Sequence, residues 1–189
     1  MSQLRNDNVN DNDLIEGCAR NDRHFQRLLY DKYSPKMHGV CLRYTEDTDE
    51  AKDILQEGFI KVFKNLSKFR SEGSFEGWLR RIFVNTSIEH YRKKKYVSRG
   101  TNQSDEQIQD EDINVLHRLA ERDILAIINQ LSPGYKTVFN LHVIEGYSHK
   151  EIADMLGINE GTSKSQLARA KSVLKKIIES NKVLKKENG

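Results

Sequence analysis

The densest set of residues able to do chemistry lies in Ser148–Leu174, SHKEIADMLGINEGTSKSQLARAKSVL. Ile152, Ala153 and Leu156 recur at helical spacing and predict an inward face, with Ala153 small enough for close helix packing. Gly157 is placed to turn the chain at positive φ, Ile158 to plug the corner, and Asn159 to cap a second helix. That helix turns Leu167, Ala170, Leu174 and Ile177 inward and presents Lys164, Ser165, Ala168, Arg169 and Lys171 outward. An exposed helix with short polar and basic residues near its start fits a DNA major groove, where such side chains reach base edges and phosphates. A helical hairpin with a solvated basic face has the same pattern, and on this segment alone both readings stand.

Two further sets lie upstream. In Asp49–Leu66 the residues Asp53, Gln56, Glu57, Ile60 and Lys64 share one helix face, opposite a predicted buried stripe. Ile60 is an apolar centre in that polar face, either an ordinary exposed isoleucine or the middle of a partner surface. Then Phe69–Arg92, FRSEGSFEGWLRRIFVNTSIEHYR, runs into the basic series Arg92 to Lys95. A Gly- and Ser-containing loop, aromatics and clustered Arg and Lys are what hold unstacked bases and their phosphates. Taken singly, Trp78, Phe83 and Tyr91 read as core. Asn85, between Val84 and Thr86, is either a structural cap or a reader of a base edge.

Catalytic patterns are missing. There is no Gly-rich phosphate loop, no HExxH and no GxSxG. Cys18 and Cys41 are far apart with no CxxC, which fits a reducing, cytoplasmic setting. His38 and Cys41 share a helix face but lack the second ligand pair of a structural zinc site, so Cys41 reads as a small buried hydrophobe. We expect no enzyme, no metal and no cofactor.

The elements that must position these sets are helices. With two prolines and few β-branched runs in 189 residues, apolar spacing of three and four dominates. The predicted helices are 11–20, 22–44 (bent at Pro35), 47–66, 75–95, 113–130, 134–145, 148–156 and 160–180, with a loop at Ser67–Gly77. Residues 96–112 carry five acids and one arginine, the composition of a tether. The fold class expected is all-α: two small helical domains, 11–95 and 113–180, joined by a flexible acidic linker at 96–112. A disordered tail at 1–10 and a basic tail at 181–189 are expected to flank them. No run of apolar residues is long enough to span a membrane, and the polar, acidic start is not a signal peptide. The net charge of +3 hides a pattern. Residues 1–95 carry 18 basic and 15 acidic side chains, 96–118 carry 2 and 5, and 119–189 carry 11 and 8. Two mildly basic halves flank an acidic middle, which predicts weak binding to DNA by the isolated chain.

Three segments occur in order: DEAKDILQEGFIKVF, then FRSEGSFEGWLRRIFVNTSIEHYRKK, then LSPGYKTVFNLHVIEGYSHKEIADMLGINEGTSKSQLARAK. On them the chain resembles bacterial sigma factors of the extracytoplasmic-function branch of the sigma-70 family, over roughly residues 14–180. The resemblance implies sigma domain two in the first half, helix-turn-helix sigma domain four in the second, and no domain three. It implies that Asp53, Gln56, Glu57, Ile60 and Lys64 dock on the coiled coil of the largest subunit of core RNA polymerase. Phe69, Arg70, Ser71, Ser74, Phe75, Trp78, Arg81, Asn85, Arg92, Lys93 and Lys94 would serve the melted −10 element, the 69–75 loop trapping a flipped base, with Arg80 and Lys95 as further basic contacts. Asn159, Gly161, Thr162, Lys164, Ser165, Ala168, Arg169 and Lys171 would serve the duplex −35 element. The acidic linker would run through a basic channel of the polymerase as a strand mimic. An anti-sigma factor is an implied partner, with no direct membrane insertion of this chain.

The sequence departs from the family pattern at Ser163, where an apolar residue is usual, and at Gln166, where a basic one is usual. The first implies a slightly weaker core, the second a lost phosphate contact or a changed sequence preference. The rival reading, a stand-alone helix-turn-helix regulator, leaves the Asp53–Lys64 face and the basic aromatic helix without a task.

Overall fold

The computed structural model describes residues 9–45, 47–99 and 121–187. The helices are α1 (Asp11–Ala19), α2 (Arg23–Leu42), α3 (Thr48–Asn65), α4 (Phe75–Arg99), α5 (Glu121–Ile128), α6 (Pro133–Phe139), α7 (His149–Leu156) and α8 (Glu160–Glu187). A 3₁₀ turn follows α3 at Leu66–Lys68, and a π-helical turn, Asn140–Ile144, extends α6. Among the described residues there is no strand, which agrees with the all-α expectation. The chain forms two compact units, divided within α4 between His90 and Tyr91. Most of the expected acidic tether, and the start of the helix expected at 113, lie outside the described residues. The helix expected to stop at Lys95 runs to Arg99, because no Gly or Pro interrupts it before Gly100.

Local chemistry sets the helix starts. Asn10 and Asp13 form a reciprocal capping box on α1, with hydrogen bonds of 3.0 and 3.1 Å. Asp22 and Asp47 accept from the backbone N–H groups of His24 (2.8 Å) and Asp49 (3.0 Å) to start α2 and α3. Ser74 Oγ accepts from the Gly77 N–H at the start of α4, 3.1 Å. The helix α2 runs as one element through Pro35. The lost N–H costs one ladder bond, while Tyr33 and Met37 on either side stay buried.

In the first unit the buried stripe of α3 is Ala51, Ile54, Leu55, Phe59 and Val62. Leu29, Tyr33, Met37, Val40 and Cys41 of α2 and Leu79, Phe83, Val84 and Ile88 of α4 belong to the same core. Phe63, at the flank of that stripe, is half-buried. Gly58 lies so close to the Phe83 ring that a Cβ there would overlap it. Polar ties add direction. Lys36 of α2 pairs with Glu76 of α4 at 2.6 Å, and Asp11 of α1 accepts from Lys32 and Tyr33 of α2, both at 2.7 Å. Burial pushes the Cys18 thiol up to about 11 and the Cys41 thiol up to about 12, so both sulfurs stay protonated and inert.

A denser network joins α3 to α4. The Glu57 carboxylate accepts from His90 Nε2 at 2.6 Å and from Lys61 Nζ at 2.9 Å, and Lys61 also reaches Glu89 at 2.7 Å. A carboxylate only accepts, so His90 carries its proton on Nε2. The bonds from His90 and Lys61 hold Glu57 down at about 2.

In the second unit Ile127, Ile128 and Leu131 pack with Ala170 and Leu174 of α8, with Tyr135, Phe139, Val173 and Ile177 around them. Leu141, Ile152 and Leu167 are also buried. Ser148 and Glu151 form the capping box of α7, and Gly157 ends that helix at φ +64, the left-handed turn the sequence predicts.

Two outcomes follow from the α3–α4 contact. Gly58→Ala should destabilise the first unit by about 1–3 kcal/mol through overpacking against Phe83, read in denaturant melts. The depressed Glu57 adds stability that is full above its ordinary 4.5 and lost as the pH falls towards 2. Glu57→Gln should therefore flatten acid unfolding over that range, read by circular dichroism.

Candidate nucleic-acid interface

The proposed docking face lies on α3. Asp53, Gln56, Ile60 and Lys64 are exposed, and Ile60 is 53% accessible at the centre. Glu57 differs from its neighbours, because its carboxylate is engaged by His90 and Lys61. Sequence spacing places Glu57 on the face but carries no sign of a partner 33 residues away.

The second set begins where α3 ends. After the 3₁₀ turn the chain passes through Arg70 and Ser71, both exposed, with Ser71 at φ +57 and Gly73 at φ +106. Two left-handed residues within three positions bend the segment tightly. Phe69 packs edge-on against Phe75 (5.2 Å between centroids) and is tilted against Trp78 (5.5 Å), and Phe75 stacks near Trp78 (5.8 Å). Phe75 is buried and also meets Tyr33 edge-on, so it anchors this cluster to the core. Ser74 is spent partly on capping α4.

Along α4, Trp78, Arg81, Asn85 and Arg92 recur at three, four and seven residues and share one face. Trp78 is half-buried; Arg81, Asn85 and Arg92 are exposed. Asn85 sits in mid-helix and caps nothing, which removes one of its two sequence readings. Arg80 and Lys95 are half-buried, and Lys93 and Lys94 exposed. Glu89 shares the Asn85 face but is paired with Lys61, so its negative charge is offset. The buried Thr86 and Ser87 return their hydroxyls to the carbonyls of Ile82 (2.8 Å) and Phe83 (2.9 Å) and are structural.

The third set stands on the first turns of α8. Asn159 Oδ1 accepts from the Thr162 N–H at 2.7 Å and from its hydroxyl at 2.9 Å, the capping expected of it. Gly161, Lys164, Ser165, Ala168, Arg169 and Lys171 are exposed, and Thr162 is half-buried. Lys164 pairs with Glu160 at 2.7 Å and holds that carboxyl below its usual range. Ser165 donates to the Thr162 carbonyl at 3.0 Å, and Arg169 donates to the Tyr135 hydroxyl at 3.4 Å. Leu167, Ala170 and Leu174 are buried beneath, and Gln166 is half-buried.

Ser163 is 0% exposed, and its Oγ lies 2.9 Å from His149 Nδ1. The hydroxyl is therefore satisfied, and the polar substitution leaves no orphaned group in the core. The imidazoles of His149 and His142 stack with centroids 4.4 Å apart. Neither histidine is marked by spacing, since the π turn that carries His142 has no sequence signal.

The arrangement is one of three surfaces: an apolar-centred face, an aromatic loop with a basic helix, and a basic helix on a helix-turn-helix. Two family models match, Sigma-70 region 2 over residues 29–96 and Sigma-70 region 4 over residues 121–174. The RNA polymerase sigma-H factor of Pseudomonas aeruginosa is 30% identical over 186 residues, 89% of this chain and 94% of that protein. The ECF RNA polymerase sigma factor SigW of Bacillus subtilis is 32% identical over 175 residues, 86% of this chain and 93% of that one. Among solved structures, the sigma factor RpoE of Bartonella quintana, in complex with the anti-sigma factor NepR, is similar in fold. Its TM-score is 0.50 at 21% identity, over 81% of this chain and 96% of that one. These family models and relatives show that the chain belongs to the sigma-70 family of RNA polymerase sigma factors, in its extracytoplasmic-function branch.

Proposed function

We propose that the chain binds core RNA polymerase through the α3 face and directs it to promoters with two DNA-reading surfaces. Residues 11–95 serve as domain two and 113–180 as domain four, with the acidic 96–112 segment between them in a basic channel of the polymerase. The 69–75 loop captures a base flipped from the −10 element. Phe69, Arg70, Ser71, Ser74 and Trp78 lie at that site, with Phe75 as its buried wall. Asn85 reads a neighbouring base, and Arg80, Arg81 and Arg92 to Lys95 hold phosphates. Unstacking a base costs a few kcal/mol, which the aromatic cluster and the basic surface offset. The start of α8 lies in the −35 major groove, with Lys164, Ser165, Ala168 and Arg169 towards the bases and Asn159, Gly161, Thr162 and Lys171 near the backbone.

The observation that carries this reading is Ile60, 53% exposed in the middle of Asp53, Gln56 and Lys64. An apolar centre in a polar rim suits a protein partner, and a stand-alone regulator has no use for it. The chain acts without a catalytic step of its own, in the cytoplasm. No helix among the described residues is long and apolar enough to cross a membrane. The Bartonella quintana protein of similar fold is in complex with an anti-sigma factor, and we extend that class of partner to this chain.

In vitro transcription with core polymerase tests the whole reading. Added chain should raise initiation from a cognate promoter well above core enzyme alone, and no rise on any promoter of a genomic library would refute it. Ile60→Asp should abolish core binding in pull-downs while the helical circular dichroism stays unchanged. Arg169→Ala should lower the preference for matched over mismatched −35 sequences by ~1–3 kcal/mol if the arginine makes a bidentate base contact. A uniform loss on all sequences would make it a phosphate contact.

A further inference from the structure

Around the start of α8 the structure holds a polar cluster that the DNA-reading residues do not use. His142, on the π turn, and His149, the first residue of α7, lie face to face with 4.4 Å between ring centroids and 13° between planes. His142 Nδ1 is 2.9 Å from the Tyr147 carbonyl oxygen, which only accepts, so that nitrogen carries the proton. His149 Nδ1 is 2.9 Å from Ser163 Oγ. Ser163 is fully buried on the inner side of the first turn of α8, directly before Lys164. The chain of contacts runs from the π turn through α7 to the turn that carries the exposed Lys164 and Ser165.

We propose that His149 and Ser163, backed by His142, are positioning residues that seat the first turn of α8 for −35 recognition, and that protonation of His149 unseats it. The proposal rests on reading α8 as the −35 surface. Two stacked imidazoles at this distance cannot both become cationic without strong repulsion. The charged groups facing His149 are His142 from the π turn and Lys164, Lys171 and Glu160 from α8. Lys150, beside it on α7, acts on Glu160 as well. Only Glu160 favours a cation there, and it is already paired with Lys164 at 2.7 Å. Burial first, then His142 and Lys164, lower His149 below its ordinary value of 6.5. The unfolded or unseated chain therefore takes up a proton before the seated one does. Seating is complete above about pH 6.5 and is lost as the pH falls through the lowered value.

The full-length chain serves for both arms of the test. In the first, amide hydrogen exchange, corrected for intrinsic rates, is followed across α7 and the first turn of α8 from pH 7.5 to 5.5. The expected result is a loss of protection in this corner while α2 and α3 hold theirs. In His149→Gln, which cannot titrate, that pH-dependent loss should disappear. In the second arm, the holoenzyme's preference for matched over mismatched −35 duplex is measured across the same range. It should fall with pH in the natural chain and keep a constant ratio in His149→Gln. Ser163→Ala should lower the preference at pH 7.5 by roughly 3- to 10-fold, the size of one buried hydrogen bond. A His149→Gln chain with the same exchange profile as the natural one overturns the proposal. So does a Ser163→Ala chain that loses affinity for all duplexes equally. The exchange arm needs no promoter, so failure of the sigma reading would show only in the second arm and remain distinguishable.

Discussion

Gly58 meets the ring of Phe83 with no room for a single carbon between them, and the first unit is organised by that approach. A phenyl ring can seat this close to the α3 backbone only where the position beneath it has no side chain. Because α3 commits its apolar stripe to α2 and to the Phe83 ring, the opposite side faces outward, and Ile60 comes with it. Because α4 commits Leu79, Phe83, Val84 and Ile88, its Arg81–Asn85–Arg92 side is left free. Both surfaces are thus consequences of one packed seam. The Glu57–His90 and Lys61–Glu89 pairs fix how far along that seam the helices slide, which dispersion between apolar side chains does not.

The second unit solves the same problem with other means. Its apolar residues hold α8 against α5 and α6 in the middle, while caps and polar contacts help to hold the end that carries the residues proposed to read DNA. Asn159 closes the start of the helix, Gly157 turns the chain into it, and Ser163 ties it to α7. Hydrogen bonds are directional where hydrophobic contact is not. A surface that must meet base edges to within an ångström gains from being aimed by them.

Much of this was legible in the residues. The faces of α3, α4 and α8 follow from a period of 3.6, which is a local property, and the capping by Asn159 is local as well. Gly157 announced its turn because few other residues adopt that backbone. Pairings between distant positions were not legible. Glu57 looked like a free member of its face until His90 came against it, and Ser163 looked like a small defect until His149 supplied its partner. The π turn and the continuation of α4 past Lys95 also escaped, since both are decided by the packing or helix propensity of neighbours rather than by a marker residue. Phe75 belonged to the loop by sequence and to the core by structure, because an aromatic at a helix start serves either place equally well.

The length of α8 has a mechanical consequence. Its 28 residues make one uninterrupted rod, which at about 1.5 Å per residue is roughly 42 Å long. Such a rod converts angle into displacement: a tilt of ~5° about its midpoint carries the tip some ~2 Å, enough to break a hydrogen bond. The pivot is the cluster of Ile127, Ile128, Leu131, Ala170 and Leu174, apolar residues without hydrogen-bonding side chains. Accuracy at the reading end is therefore set partly by how stiffly those side chains clasp the shaft. On the proposed −35 reading, promoter choice in this chain has a bearing as well as a code.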